Sequence, residues 1–162
     1  MSKKITLVRH AKSSWNYHVD DKDRPLLERG INDAHLVSKH LYNKIRDVDA
    51  IFSSPANRAL HTAAIFTRNL NIPLNLITIT NELYDFGGNR VLEFLKSMDN
   101  KIDNVMIFGH NHAFTAIANN LGNIDIDNVT TSGVVIIKFD DVNWNSIKTG
   151  TTESITFPKH LR

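Results

Sequence analysis

Apolar residues along the chain gather into short runs separated by polar stretches, and their spacing separates strand from helix. Ile5 to Val8 is a run too short for a helix, broken by the polar stretch Lys12 to Arg24, and predicts a buried strand followed by a loop. From Asn32 to Ile45, Ala34, Val37, Leu41 and Ile45 recur at helical spacing, with Gly30 in front and Asn32 or Asp33 as a candidate cap. Val48 to Phe52 predicts a second strand. Ser53-Ser54-Pro55 then offers a capping serine and a proline at the first helical position, opening a helix over about Ala56 to Leu70. Leu74 to Ile79 and Asn104 to Phe108 predict strands, and Asn89 to Ser97 and His112 to Leu121 predict helices. Gly133 to Phe139 and Trp144 to Lys148 predict two final strands around an Asp140-Asp141-Val142-Asn143 turn.

Alternating strands and helices of these lengths call for an α/β three-layer sandwich, with a mostly parallel central sheet, helices on both faces and an antiparallel edge strand near the C-terminus. The 162 residues fit one domain, 1–162, without a linker. In such sheets, ligands bind beyond the carboxyl ends of the strands. Arg9 and His10 follow the first strand, Ser53 and Ser54 the second, Asn81 and Glu82 the third, and Gly109 and His110 the fourth.

Composition narrows the chemistry. The chain has no cysteine, which excludes disulfides, thiolate metal sites and a cysteine nucleophile. A net charge of +2 comes from 19 basic and 17 acidic residues without a basic run, so a nucleic-acid partner is not expected. No apolar stretch approaches the roughly 20 residues of a membrane span, and Met1-Ser2-Lys3-Lys4 leads into a strand rather than a secretory core, so the expected location is the cytoplasm.

Arginine and histidine at strand ends suit phosphoryl transfer, where catalysis is mainly positioning and electrostatic stabilisation. Arg9 and Arg58 offer planar, bidentate donors to phosphate oxygens, and Arg58 lies near a helix N-terminus that itself attracts anions. A neutral His10 is a competent nucleophile, His110 a donor to the transferring oxygens, and Glu82 a candidate acid for the leaving group. Against this stand structural roles for single residues: Glu82 as a capping or ion-pairing carboxylate, Arg58 as a solvated helix residue, and His110 with His112 as two incomplete metal ligands. The residues alone lead to an anion site with histidine chemistry and no metal or cofactor requirement.

Taken together, Leu7-Val8-Arg9-His10-Ala11-Lys12-Ser13 resembles the signature of the histidine phosphatase superfamily, the phosphoglycerate mutase-like fold. Pro25-Leu26 with Glu28-Arg29-Gly30, Ser53-Ser54-Pro55-Ala56-Asn57-Arg58-Ala59 with Thr62-Ala63, and Gly109-His110-Asn111 are similar to its later blocks, in the same order. The resemblance implies that His10 becomes phosphorylated and that Arg9, Arg58 and His110 complete the phosphate pocket. It also implies that Asn16 lies near the phosphate and that an acid falls in the region of Glu82, with Asp85 as a substitute. Ala11 stands where many members have glycine, which removes neither donor nor nucleophile.

Short length and the Arg-His-Ala-Lys-Ser opening look most like the SixA-type branch, which acts on phosphohistidine in signalling or phosphotransfer proteins. The resemblance thus implies a phosphatase acting on a phosphorylated protein or a small phosphoester. A superfamily mutase and a noncatalytic phosphate-binding module are the alternatives. The acidic segment with Asp20, Asp21 and Asp23 reads as a solvated loop or as a repellent to acidic substrates, and Lys159 to Arg162 as a frayed end or a docking tail. Phe86 and Trp144 are apolar positions whose setting, core or partner surface, periodicity leaves open.

Overall fold

The computed structural model describes residues 2–162, so Met1 of the N-terminal stretch discussed above lies outside it. Ten main elements follow in the order β1 (Lys3–Arg9), α1 (Glu28–His40), β2 (Ala50–Ser53), α2 (Asn57–Asn69), β3 (Ile77–Ile79), α3 (Asn89–Lys96), β4 (Asn104–Gly109), α4 (Ala113–Leu121), β5 (Val134–Phe139) and β6 (Thr151–Thr156). The strands form one sheet in the order β3-β2-β4-β1-β5-β6. The β3, β2, β4 and β1 strands run parallel, while β5 is antiparallel to β1 and β6 antiparallel to β5. This is the expected α/β architecture, mostly parallel, closed at one edge by antiparallel strands.

Central strands that are apolar on both faces divide their side chains between two cores. Ile5, Leu7, Val105, Ile107, Val135 and Ile137 point to one, with Val91, Leu95, Phe114 and Ile117 of α3 and α4. Val8, Met106, Phe108, Val134 and Ile136 point to the other, with Ala34, Val37, Ala63 and Phe66 of α1 and α2. The strands therefore cannot slip by one residue without exchanging the two faces. That fixes the heights of the loops at the carboxyl end. No described helix is long and apolar enough to cross a membrane.

Several boundaries depart from the sequence expectations for identifiable reasons. The first helix begins at Glu28 rather than Asn32, and Gly30 lies inside it. A Cβ on Gly30 would come within 2.2 Å of the Lys12 carbonyl oxygen, so this glycine serves close packing, not a break before the helix. The second helix starts at Asn57, because the Ser54 hydroxyl caps the Ala56 N–H (3.2 Å) in the preceding turn. Pro55 thus lies in that turn and not at the first helical position. Residues Leu74–Leu76 form a 3-10 turn, leaving Ile77–Ile79 as a short edge strand. Short edge strands resist pairing with other chains.

The last strand is displaced most. Trp144–Ser146 is a 3-10 turn whose Trp144 is fully buried, its Nε1–H donating to the Ile102 carbonyl at 2.7 Å. Burial of Trp144 and Ile147, three residues apart, is a turn-like spacing rather than a strand alternation. The edge strand is instead Thr151–Thr156, a largely polar segment. At the C-terminus, Leu161 packs on the α1/α2 core and Arg162 pairs with Asp33 at 2.7 Å, so the terminal residues fold back onto α1.

Candidate active site

Parallel pairing of β1 with β4 places Arg9 opposite Gly109, so the next residue of each strand, His10 and His110, emerges at the same height. The His10 amide donates to the Gly109 carbonyl (3.1 Å), and the Ser132 amide reaches the carbonyls of Arg9 (3.1 Å) and His10 (3.2 Å). The two imidazoles lie 5.2 Å apart between centroids. Both are buried, His110 completely.

His10 has a defined tautomer. Its Nδ1 is 2.7 Å from the Ala11 carbonyl oxygen, which can only accept, so Nδ1 carries the proton and Nε2 presents the lone pair. Burial, reinforced by the charges of His110, Arg58 and Arg9, pushes the His10 pKa down to about 3 against the raising effect of the Ala11 hydrogen bond. Burial and then the Arg58 charge bring His110 to about 3 as well. At neutral pH both rings are uncharged, the state a histidine nucleophile needs.

Ala11 N–H donates to Thr62 Oγ1 (2.9 Å), whose own hydroxyl donates to the Arg58 carbonyl (2.7 Å), tying the loop after His10 to α2. Leu27 N–H donates to the Lys12 carbonyl (2.9 Å), which anchors the same loop to the start of α1. These contacts account for the spacing of the Thr62 and Gly30 motifs.

Arg58, on the first turn of α2, is 1% exposed. Its Nη1 donates to the Asp21 carbonyl (2.6 Å) and its Nη2 to the Asp21 carboxylate (2.8 Å). Arg9 donates through Nη1 to the Val129 carbonyl at 2.8 Å. The Nε groups of both arginines are buried without a partner. A buried, unsatisfied donor costs about 1–3 kcal/mol, more when charged. Both guanidinium groups line one cleft with the His10 ring, an arrangement that suits an anion.

An open cleft of about 240 Å³ is lined by Arg9, His10, Lys12, Arg24 and Arg58, among other residues, with Asp21 as the one carboxylate among the described residues. Arg24 is nearly buried, donating to Asp21 Oδ1 (3.2 Å) and Ser13 Oγ (3.0 Å), with its guanidinium 3.5 Å from the centre of the Trp15 ring. Burial acts to raise the Asp21 pKa, but hydrogen bonds from Tyr84 (2.5 Å) and Arg58, with the charges of Arg58 and Arg24, hold it down to about 2. Phosphate would meet strong positive charge here.

Sequence-expected residues fall into two groups. Arg9, His10 and Arg58 line the cleft together. His110 lies behind His10, its Nε2 2.8 Å from Ser54 Oγ and its ring 4.9 Å from that of Phe86, and it does not line the cleft. Asn16 and Glu82 are exposed and outside the lining, and Glu82 faces Arg90 at 3.6 Å. Asp85 accepts from the amides of Gly87, Gly88, Arg90 and Val91, which makes it the cap of α3. His112 is exposed at the start of α4. Phe86 is 45% exposed on the cleft wall, whereas Trp144 is core.

Arg24 is the lining residue that sequence reasoning missed, and Asp21 was read there only within an acidic segment, as a solvated loop or a repellent to acidic substrates. They sit in a loop without periodicity, and the single available signal was Arg24 directly before the Pro25-Leu26 motif.

The model of the histidine phosphatase superfamily (branch 1) matches residues 5–88, which hold Arg9, His10 and Arg58. An uncharacterized protein of Mycobacterium tuberculosis is 26% identical over 160 residues, covering 93% of this chain and 98% of its own. The structure of the protein histidine phosphatase SixA complexed with tungstate superposes with a TM-score of 0.82 at 21% identity, over 98% of this chain and 99% of that one. The alpha-ribazole phosphatase from Shigella flexneri superposes with a TM-score of 0.70 at 18% identity, over 96% of each chain. The family match spans just over half of the chain and includes the strand-end arginine and histidine on which the cleft is built: this chain belongs to the histidine phosphatase superfamily.

Proposed function

We propose that this chain hydrolyses phosphohistidine carried on a protein, through a phosphorylated His10 and with arginines rather than a metal supplying the positive charge. In the first step His10 Nε2 attacks phosphorus in line with the leaving nitrogen. The P–N bond of the substrate breaks as the new bond to Nε2 forms. Nδ1–H stays on the Ala11 carbonyl, so the phosphorylated ring is a cation and a good leaving group for the second step. Water then completes the hydrolysis. Arg9, Arg24 and Arg58 neutralise the phosphoryl oxygens in both steps, and His110 backs the nucleophile.

The observation that carries the substrate assignment is that no protonated acid stands on the cleft wall among the described residues. The one carboxylate lining it, Asp21, is held ionised at neutral pH, while Glu82 and Asp85 are engaged elsewhere. An alkoxide leaving group needs a proton in the transition state. A protonated phosphoimidazole does not, because it departs as a neutral ring. The open mouth, with Trp15 76% and Phe86 45% exposed, also supports a bulky, partly apolar substrate.

The test is rapid-quench trapping with labelled p-nitrophenyl phosphate and, separately, with a phosphohistidine-bearing carrier protein, comparing wild type and His10→Ala. Acid-labile label on the wild type alone, with faster turnover of the carrier, is expected. Turnover confined to small esters would instead indicate a small-molecule phosphoesterase. Phosphate binding without any turnover would indicate a binding module.

A further inference from the structure

Resting on the phosphorylation of His10 proposed above, we propose that Asp21 is the catalytic base of the second step, receiving the proton of the water that attacks phosphorylated His10. Among the described residues that line the cleft, it is the one carboxylate, and it shares that wall with His10, Arg9 and Arg58. Its geometry suits a fixed acceptor. Oδ2 is taken by Arg58 Nη2 (2.8 Å) and the Tyr84 hydroxyl (2.5 Å), whereas Oδ1 receives only the longer contact from Arg24 Nε (3.2 Å). A carboxylate oxygen has about two acceptor sites, so Oδ1 keeps one for water. The loop that carries it is clamped at both ends of the side chain, since Arg58 also holds the Asp21 main-chain oxygen at 2.6 Å.

The water oxygen forms a bond to phosphorus while the P–Nε2 bond breaks, and that electron pair returns to Nε2. His10 is thereby restored as the neutral ring with its proton on Nδ1. The water gives one proton to Asp21 Oδ1 and leaves as part of hydrogen phosphate, and Asp21 passes the proton to solvent through its exposed face, its side chain being 40% exposed.

An anion as weakly basic as this one is a poor base toward free water. It suffices here because water becomes acidic only as its bond to phosphorus forms, and the cationic imidazole needs little push to leave. The same low basicity makes Asp21 unsuited to protonate a leaving group in the first step. The two half-reactions are therefore served asymmetrically, the first by the substrate's own imidazole and the second by Asp21. Glu82, from its position facing Arg90, serves neither.

The discriminating experiment is pre-steady-state kinetics with p-nitrophenyl phosphate on wild type, Asp21→Asn and Tyr84→Phe, with quantification of acid-labile phosphoenzyme. The asparagine retains an acceptor for Arg58 but accepts no proton. For Asp21→Asn the expected result is a burst of p-nitrophenol slowed far less than the steady-state turnover, which falls by roughly 10²-fold, the low end for general-base loss, with phosphoenzyme accumulating. Tyr84→Phe removes one hydrogen bond to Asp21 while leaving its pairing with Arg58, and is expected to speed phosphoenzyme breakdown by making Asp21 more basic. A burst slowed in parallel with turnover would reduce Asp21 to a support for Arg58 and overturn the inference. So would equal phosphoenzyme breakdown in wild type and Asp21→Asn, with the phosphorylated His10 left standing. No phosphoenzyme in the wild type would overturn the proposed function itself, and the inference with it.

Discussion

Acid should begin to destabilise this protein well above the pH range where its carboxylates titrate, because two histidines are buried in uncharged form. His10 and His110 fall from 6.5 in the unfolded chain to about 3 in the fold, chiefly through burial. Above pH 6.5 neither state binds the proton and the pair makes stability independent of pH. Below it the unfolded chain takes up protons that the native state refuses, so stability falls until the native pKa is reached. Each group contributes about 1.4 kcal/mol per pH unit inside that window, or about 2.7 kcal/mol per unit for the two. Two pH units then remove about 5 kcal/mol, comparable with the whole stability of a small domain at the low end of about 5–15 kcal/mol. Asp21, lowered to about 2, adds its share only below the ordinary carboxylate range. Urea denaturation followed by far-UV circular dichroism at pH 7, 6, 5 and 4 measures the slope, and His10→Asn is expected to reduce it by about half. A midpoint that stays constant from pH 7 to 5 in the wild type would refute the reasoning.

Four further outcomes are expected. Arg58→Ala should lower kcat/KM by roughly 10²–10³-fold, the loss typical of one donor to developing negative charge, when measured with p-nitrophenyl phosphate. Glu82→Gln, which touches only the exposed contact with Arg90 at 3.6 Å, should leave kcat and its pH profile essentially unchanged in the same assay. Gly30→Ala forces a methyl group onto the Lys12 carbonyl and should destabilise the protein by about 1–3 kcal/mol in urea titration, with reduced activity because the loop after His10 shifts. Trp144→Ala should cost about 3–5 kcal/mol by the same measurement. Trp144 contacts the amino end of β1 through Lys3, so the kcat of the remaining folded protein should not change.

Much of the architecture was legible because the central strands are apolar on both faces and the helices are amphipathic, two patterns that short-range spacing encodes directly. Arg9, His10 and Arg58 were legible for a related reason: each sits within a residue or two of a strand or helix boundary that periodicity locates. Glu82 and Asp85 occupy an equally good boundary, after β3, yet their side chains go to Arg90 and to the amides that open α3. A boundary gives the position of a residue along the chain but not the direction of its side chain. Asp21 and Arg24 were illegible in the opposite sense. Their loop has no pattern, and its conformation comes from side-chain partners that spacing does not encode, the distant Arg58 and Tyr84 for one and the nearer Trp15 and Ser13 for the other. Gly30 was misread because a glycine needed for close approach looks, in sequence, like a glycine that breaks a helix.

The same tertiary partners explain why the acidic loop belongs to the site instead of to solvent. Three guanidinium groups, those of Arg9, Arg24 and Arg58, converge on one cleft, and their mutual repulsion would splay them apart without an anion between them. Asp21 supplies that anion when phosphate is absent, bridging Arg24 and Arg58 through separate carboxylate oxygens. It takes one N–H from each Nη group of Arg58, so each Nη keeps a second N–H for a phosphoryl oxygen. The carboxylate thus preorganises the cationic wall without using up its donors. Preorganisation of this kind is what allows fixed charges to stabilise a transition state with little rearrangement at the moment of reaction. It also sets the requirement that any substitution at Asp21 be judged on two effects, the loss of a proton acceptor and the loosening of Arg58, and only separate rates for formation and breakdown of the phosphoenzyme divide them.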